Sequence, residues 1–189
     1  MNPDALTGGF ADAPVEAARA FRAALNALAR PGRVEIIEAA APPAPLSIAA
    51  GTLLLTLADG TTPIHLAPSH DRASVRDWLL FHCGAPLVGP VDGMFAVGRW
   101  NELLPVSRFA VGTAEYPDRS VTLIVESELD GRPTARLSGP GIKGEVLTVL
   151  PEVAAFAANH RAYPLGFDTF LTDGCRILGL PRSTTVEAL

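Results

Sequence analysis

The longest apolar run lies at residues 45–66, PLSIAAGTLLLTLADGTTPIHL, and the rest of the chain is read around it. At helical spacing Leu46, Ala49, Ala50, Leu53, Leu54 and Leu57 share one face, which predicts a buried helix. Asp59-Gly60 breaks the run, and Thr62 to Leu66 alternates as a strand does. A strand over Thr52 to Ala58 also fits so short an apolar stretch, but the helix is preferred.

Upstream, Asp12 suits an N-cap and Pro14 the first turn of a helix reaching Ala29, with Ala17, Phe21, Leu25 and Leu28 as its core stripe. Pro31-Gly32 stops that helix, Val34 to Ile37 reads as a strand, and 39–45 (AAAPPAP) as an extended surface segment. A helix over Arg72 to Cys83, capped by Ser69 or Asp71, would bury Val75, Trp78, Leu79 and His82. Met94 to Val97, Val121 to Glu126, Thr134 to Leu137 and Val146 to Val149 read as strands, and residues 105–119 as a loop. Pro151 opens a helix to His160 with Val153, Phe156, Ala157 and His160 inward. Phe167 to Leu171 and Cys175 to Leu178 form a hairpin through Asp173-Gly174. Helices mixed with hairpins predict one α/β or α+β domain, 1–189, whose sheet is not purely parallel.

Hydrophobic residues make up 48% of 189, enough for one large core. No apolar run has the roughly 18 residues needed to span a bilayer, and the first ten residues lack a secretory pattern, so a cytoplasmic location is expected. Two cysteines are too few for a disulfide scaffold. The net charge of -5 argues against nucleic acid as a partner. Lys143 is the one lysine in the chain, so Schiff-base chemistry must use it or fail.

Few strings carry chemistry. Gly139-Pro140-Gly141-Ile142-Lys143-Gly144 spells a dinucleotide fingerprint, but an alternating, strand-like segment follows where a helix N-terminus is required, so a hairpin turn is expected. His82-Cys83 are helix neighbours about 100° apart and cannot readily share a proton. His82 is weighed between a bonded core position and a functional one. Asp168 and Asp173 do not share a strand face, and His65 and His70 lack metal-ligand spacing, so no metal is expected. Arg182 beside Ser183, Thr184 and Thr185 suits either binding of a phosphate or phosphonate oxygen or a salt-bridged surface. Arg22 is a weaker anion-contact candidate.

Several strings occur in a familiar order: Phe21-Arg22, Pro31-Gly32, Leu53 to Asp59 with Thr62-Pro63, Phe81-His82 with Ala85 to Val88, Gly112-Thr113, Leu137 to Ile142, Pro164 to Asp168 and Leu180 to Thr185. Together they resemble the PhnH subunit family of bacterial carbon–phosphorus lyase systems, over about residues 10–187. The resemblance implies a three-layer α/β/α sandwich with a mixed sheet, similar to the large domain of pyridoxal-phosphate-dependent transferases but without the cofactor or its site. It implies a homodimer, PhnG, PhnI and PhnJ as partner subunits, and a role in forming ribose 1-phosphonate 5-triphosphate from ATP and an alkylphosphonate. No catalytic residue carries over. The candidate ligand pocket comprises His82, Thr113, Asp168 and Arg182, with Arg22 more peripheral. A complex subunit is thus the leading expectation, with a pyridoxal-phosphate transferase acting through Lys143 and a small-anion binding module as alternatives.

Overall fold

Ser47 opens the central helix: its hydroxyl accepts the Ala50 N–H at 3.1 Å, a cap that contributes about 1 kcal/mol. The helix that follows, α2 (Ile48–Leu57), is buried over Ala49 to Leu54. The strand alternative for this run therefore fails. The computed structural model describes residues 6–189.

The chain orders as α1 (Ala13–Ala29), β1 (Val34–Ile36), α2, β2 (Ile64–Leu66), α3 (Ala73–His82), β3 (Phe95–Arg99), α4 (Trp100–Leu103), β4 (Thr122–Glu126), β5 (Ala135–Ser138), β6 (Val146–Thr148), α5 (Val153–Arg161), β7 (Asp168–Asp173), β8 (Arg176–Leu180) and β9 (Thr185–Ala188). Six strands form one sheet in the order β1-β8-β7-β4-β3-β2. The β2, β3, β4 and β7 strands run parallel, while β8 is antiparallel to both β7 and β1. The sheet is mixed, as expected.

The register places Leu66, Val97, Ile124 and Phe170 in one row, all in the core beneath α1, α2 and α3. Ala96, Leu123, Val125 and Leu171 face the other way, because strand side chains alternate. That second face is covered by α4, α5 and a small antiparallel sheet ordered β6-β5-β9. The third layer is therefore part helix and part sheet, which departs from a strict α/β/α sandwich. The strand β9 was hidden in a polar stretch, Thr185–Ala188, of which only Val186 is buried.

Three local expectations change. The core stripe of α1 is Ala20, Ala24 and Ala27, while Phe21 and Leu25 are exposed. The reason is close packing: a methyl group on Gly179 of β8 would lie 2.5 Å from the Ala27 carbonyl carbon, so the helix meets the sheet through its small residues. The Asp12 side chain does not cap α1; instead the Glu16 carboxylate accepts the Ala11 N–H at 2.8 Å. Neither Ser69 nor Asp71 caps α3, whose N-cap position is Arg72.

The 39–45 segment is extended but not wholly superficial, since Ala40 is buried and donates its N–H to Thr52 Oγ1 at 3.1 Å. In the hairpin, Asp173 pairs with Arg176, so its two-residue turn is Gly174-Cys175, one residue later than expected. No helix among the described residues is long and apolar enough to cross a membrane.

Candidate functional site

The parallel strands have two ends, and polar side chains gather at both. At the amino end, Asp168 opens β7 and Arg182 follows β8. The Arg182 Nε and Nη2 donate to the two Asp168 carboxylate oxygens at 3.1 and 2.6 Å, and its backbone N–H donates to the same carboxylate at 2.9 Å. Nη1 donates to Pro117 O at 2.7 Å and Pro164 O at 3.5 Å, and Nη2 also to Ser120 Oγ. A guanidinium has five N–H donors, and all five are engaged here. Only 11% of the side chain is exposed. Arg182 is therefore a clasp that holds the 117–120 loop and the 163–164 turn onto β7 and β8. A shallow cleft of about 280 Å³ lies against it, lined also by Asp118, Tyr163 and Ser183.

The remaining expected residues do not converge on that cleft. Thr113 closes a turn of the same loop, its Oγ1 accepting the Tyr116 N–H at 3.0 Å. His82, half-buried at the end of α3, sits between the Trp78 and Phe81 rings, and its Nε2 lies 3.1 Å from Thr7 O. It thus pins the 7–9 segment. Arg22 is exposed on α1. His160, expected only as an inward helix residue, lies against the clasp instead: Nδ1 is 3.3 Å from Arg182 O and Nε2 is 3.3 Å from Thr185 Oγ1.

The carboxyl end holds a second network that sequence reasoning missed. The register continues the Leu66, Val97, Ile124, Phe170 face into Arg99, Glu126 and Thr172. Glu126 Oε1 accepts the Ser47 N–H at 2.8 Å, placing a carboxylate at the start of α2, and Oε2 accepts the Thr172 hydroxyl at 3.0 Å. Burial nevertheless pushes the Glu126 carboxyl above the usual carboxylate range, because desolvation outweighs the bonds from Ser47 and Thr172.

His70 is fully buried 3.9 Å from Glu126, and burial lowers its pKa. The His70 Nδ1 lies 2.8 Å from Ser69 Oγ. Ser69 gives its hydroxyl proton and its N–H to Glu102, which leaves its Oγ as the acceptor facing His70 Nδ1. Those Ser69 bonds hold the Glu102 carboxyl low. Ser69 and His70 lie in the turn after β2, Glu102 on α4 and Glu126 at the end of β4. Packing of these separate elements at one end of the sheet assembles them, so no local string could reveal the group.

Other chemistry narrows. The Gly139 to Gly144 string links β5 to β6 with Gly139, Gly141 and Gly144 all at positive φ, so it is a hairpin turn. Lys143 is exposed on that turn. Burial raises the Cys83 thiol pKa, which disfavours a thiolate, and Cys83 Sγ donates to Leu79 O. Among the described residues no three His, Cys, Asp or Glu side chains group to hold a metal ion.

A family model described as bacterial phosphonate metabolism protein (PhnH) matches residues 8–187. The chain belongs to the PhnH family. It is 42% identical over 190 residues to the alpha-D-ribose 1-methylphosphonate 5-triphosphate synthase subunit PhnH of Rhizobium meliloti (strain 1021), covering 96% of this chain and 95% of that protein. It is also 28% identical over 199 residues to the putative C-P lyase subunit protein HtxG of Stutzerimonas stutzeri, covering 95% of each. The family resemblance expected over residues 10–187 is thereby shown. Several of the strings that carried it now have structural reasons: Pro164 to Asp168 and Leu180 to Thr185 build the two sides of the Arg182 clasp.

Proposed function

We propose that this chain is a non-catalytic or co-catalytic subunit of a carbon–phosphorus lyase core complex, supporting formation of ribose 1-phosphonate 5-triphosphate from ATP and an alkylphosphonate. The observation that carries this reading is the end-to-end similarity to a PhnH protein named as a subunit of a synthase for such a triphosphate. The polar network at the amino end supports a bracing role, since the donors of Arg182 are spent inside the chain. The partners would be PhnG, PhnI and PhnJ, in the cytoplasm, and the fold would be similar to the large domain of pyridoxal-phosphate-dependent transferases without their cofactor site.

A homodimer belongs to the same reading. Its natural surface is the pair of exposed side chains Phe21 and Leu25 on α1, with Val34 and Ile36 on β1, which is an edge strand of the large sheet. Edge strands and exposed apolar patches are surfaces that association covers.

Co-expression with the neighbouring subunits tests the proposal. The expected result is a stable co-purifying assembly that turns over ATP and methylphosphonate, with the isolated chain inactive on both. Turnover by the chain alone would sink it. The pyridoxal-phosphate alternative would place its aldimine on Lys143, an exposed residue of the β5–β6 turn; Lys143→Ala should leave the assembly's activity unchanged.

A further inference from the structure

We propose that the cleft between Arg72 and Arg99, outside the carboxyl ends of the parallel strands, binds a tetrahedral oxyanion, namely the phosphoryl or phosphonyl group of a small ligand. The cleft has a volume of about 460 Å³ and is lined by Ala44, Pro45, Ser69, Arg72, Ser74 and Arg99. Ser69 follows β2 and Arg99 ends β3, which puts the cleft just outside the carboxyl ends of two neighbouring parallel strands.

The state of the two arginines carries the argument. Arg99 ends β3, is exposed, and makes no hydrogen bond or ion pair among the described residues. Arg72 spends only Nε, which donates to Ser69 O at 3.1 Å, so both of its terminal nitrogens remain available. Arg182 is the contrast, with every donor used by the chain itself. Two open guanidinium forks and the Ser74 hydroxyl lining one cleft supply the positive charge and donors that a phosphoryl or phosphonyl group requires, while the Ser69 hydroxyl is spent on Glu102.

The acids nearby do not fill the cleft. Glu102 is close enough to Arg99 to feel its charge, but its carboxylate accepts both the N–H and the hydroxyl of Ser69. Glu126 is turned to Ser47 and Thr172. The α3 helix starts at this cleft with no side-chain cap and no acidic residue in its first turn, so its first amides add to the positive field without being the basis of the site. The volume suits a small ligand, and the net charge of -5 suits a small anion better than a polyanion.

The test is calorimetric titration of the purified full-length chain at low ionic strength with inorganic phosphate, methylphosphonate and ATP in separate arms. The variants are Arg99→Gln, the double variant Arg72→Gln/Arg99→Gln, and Arg132→Gln as a control on a distant surface. Both cleft arginines are exposed, so thermal unfolding should be unchanged and report intact folding. The wild type should bind at least one probe, Arg99→Gln should weaken it by about tenfold or more, and the double variant should abolish it. Arg132→Gln should bind as wild type. Binding of phosphate and methylphosphonate assigns the cleft to a free oxyanion, and binding of ATP alone assigns it to a nucleotide's phosphate chain. Either supports the proposal. It is overturned if no probe binds the wild type, or if binding survives in the double variant. The titration needs no partner, so its failure leaves the subunit reading standing, and failure of assembly leaves this one standing.

Discussion

Glu126 and Ser47 are 79 residues apart in sequence, yet the Ser47 N–H donates to the Glu126 carboxylate at 2.8 Å. One largely buried side chain from β4 thereby holds the start of the central helix and fixes how α2 sits over the carboxyl end of the sheet. A charge in this position is costly, which is why burial raises the Glu126 pKa despite its bonds.

That cost gives a pH dependence of definite sign. A carboxyl that protonates more readily in the folded state adds stability as pH falls through its folded pKa toward the ordinary 4.5. At neutral pH the charge is a net burden. Glu126→Gln keeps an oxygen for the Ser47 N–H and removes the charge. Relative to wild type it should be most favourable near pH 7 and lose that advantage as the pH approaches about 5. The lowered His70 pKa works in the opposite sense, its contribution being lost on acidification below the ordinary 6.5, but His70 is common to both proteins. Urea titrations of both at several pH values measure the difference; one that stays constant with pH would contradict the burial argument.

The Arg182 clasp should behave as structure rather than as a binding site. Asp168→Asn leaves a largely buried guanidinium without its counter-charge and should cost about 2–3 kcal/mol, less than a fully buried pair because Asp168 is 28% exposed. Arg182→Lys loses the planar fork and should cost a similar amount. Equilibrium denaturation checks both. Unchanged stability combined with lost anion binding would instead make Arg182 a ligand contact.

Gly179→Ala tests the close approach of α1 to β8. The added carbon would fall 2.5 Å from the Ala27 carbonyl carbon, in backbone that cannot rotate aside. The expected loss is about 3 kcal/mol, read as a lower urea midpoint at unchanged slope. A tolerated alanine would mean that α1 can slide.

The same contact explains what the sequence could and could not reveal. The large residues Phe21 and Leu25 looked like the inward stripe, because hydrophobic size is the usual guide. The inward side is set instead by a glycine on a strand over 150 residues later, information absent from the helix itself. The all-apolar α2 and the β7–β8 hairpin were legible because their signals are local: one continuous run and one turn. His70, Glu102 and Glu126 were not, since a loop, a short helix and a strand end become neighbours only through tertiary packing. Arg182 stood out in the sequence only by its polar neighbours. Its bonds to Asp168, Pro117 and Ser120 could be read only once those residues had positions.

The outward position of Phe21 and Leu25 has its own expected result. If they form part of a self-contact, Phe21→Ser/Leu25→Ser should lower the sedimentation coefficient to that of a monomer without lowering urea stability per chain. Exposed side chains add little to the fold itself. A protein already monomeric before substitution would remove the dimer from the proposed function.

After β8 the polypeptide leaves the large sheet, turns through Pro181 to Thr184 and enters the small sheet as β9, beside β5. This passage is one of three covalent crossings between the sheets, with the β4–β5 and β6–β7 links, and it anchors β9 at the edge of the Arg182 clasp. A protease nick in those four residues would free β9 from that anchor, and amide exchange in β5, its ladder partner, should accelerate.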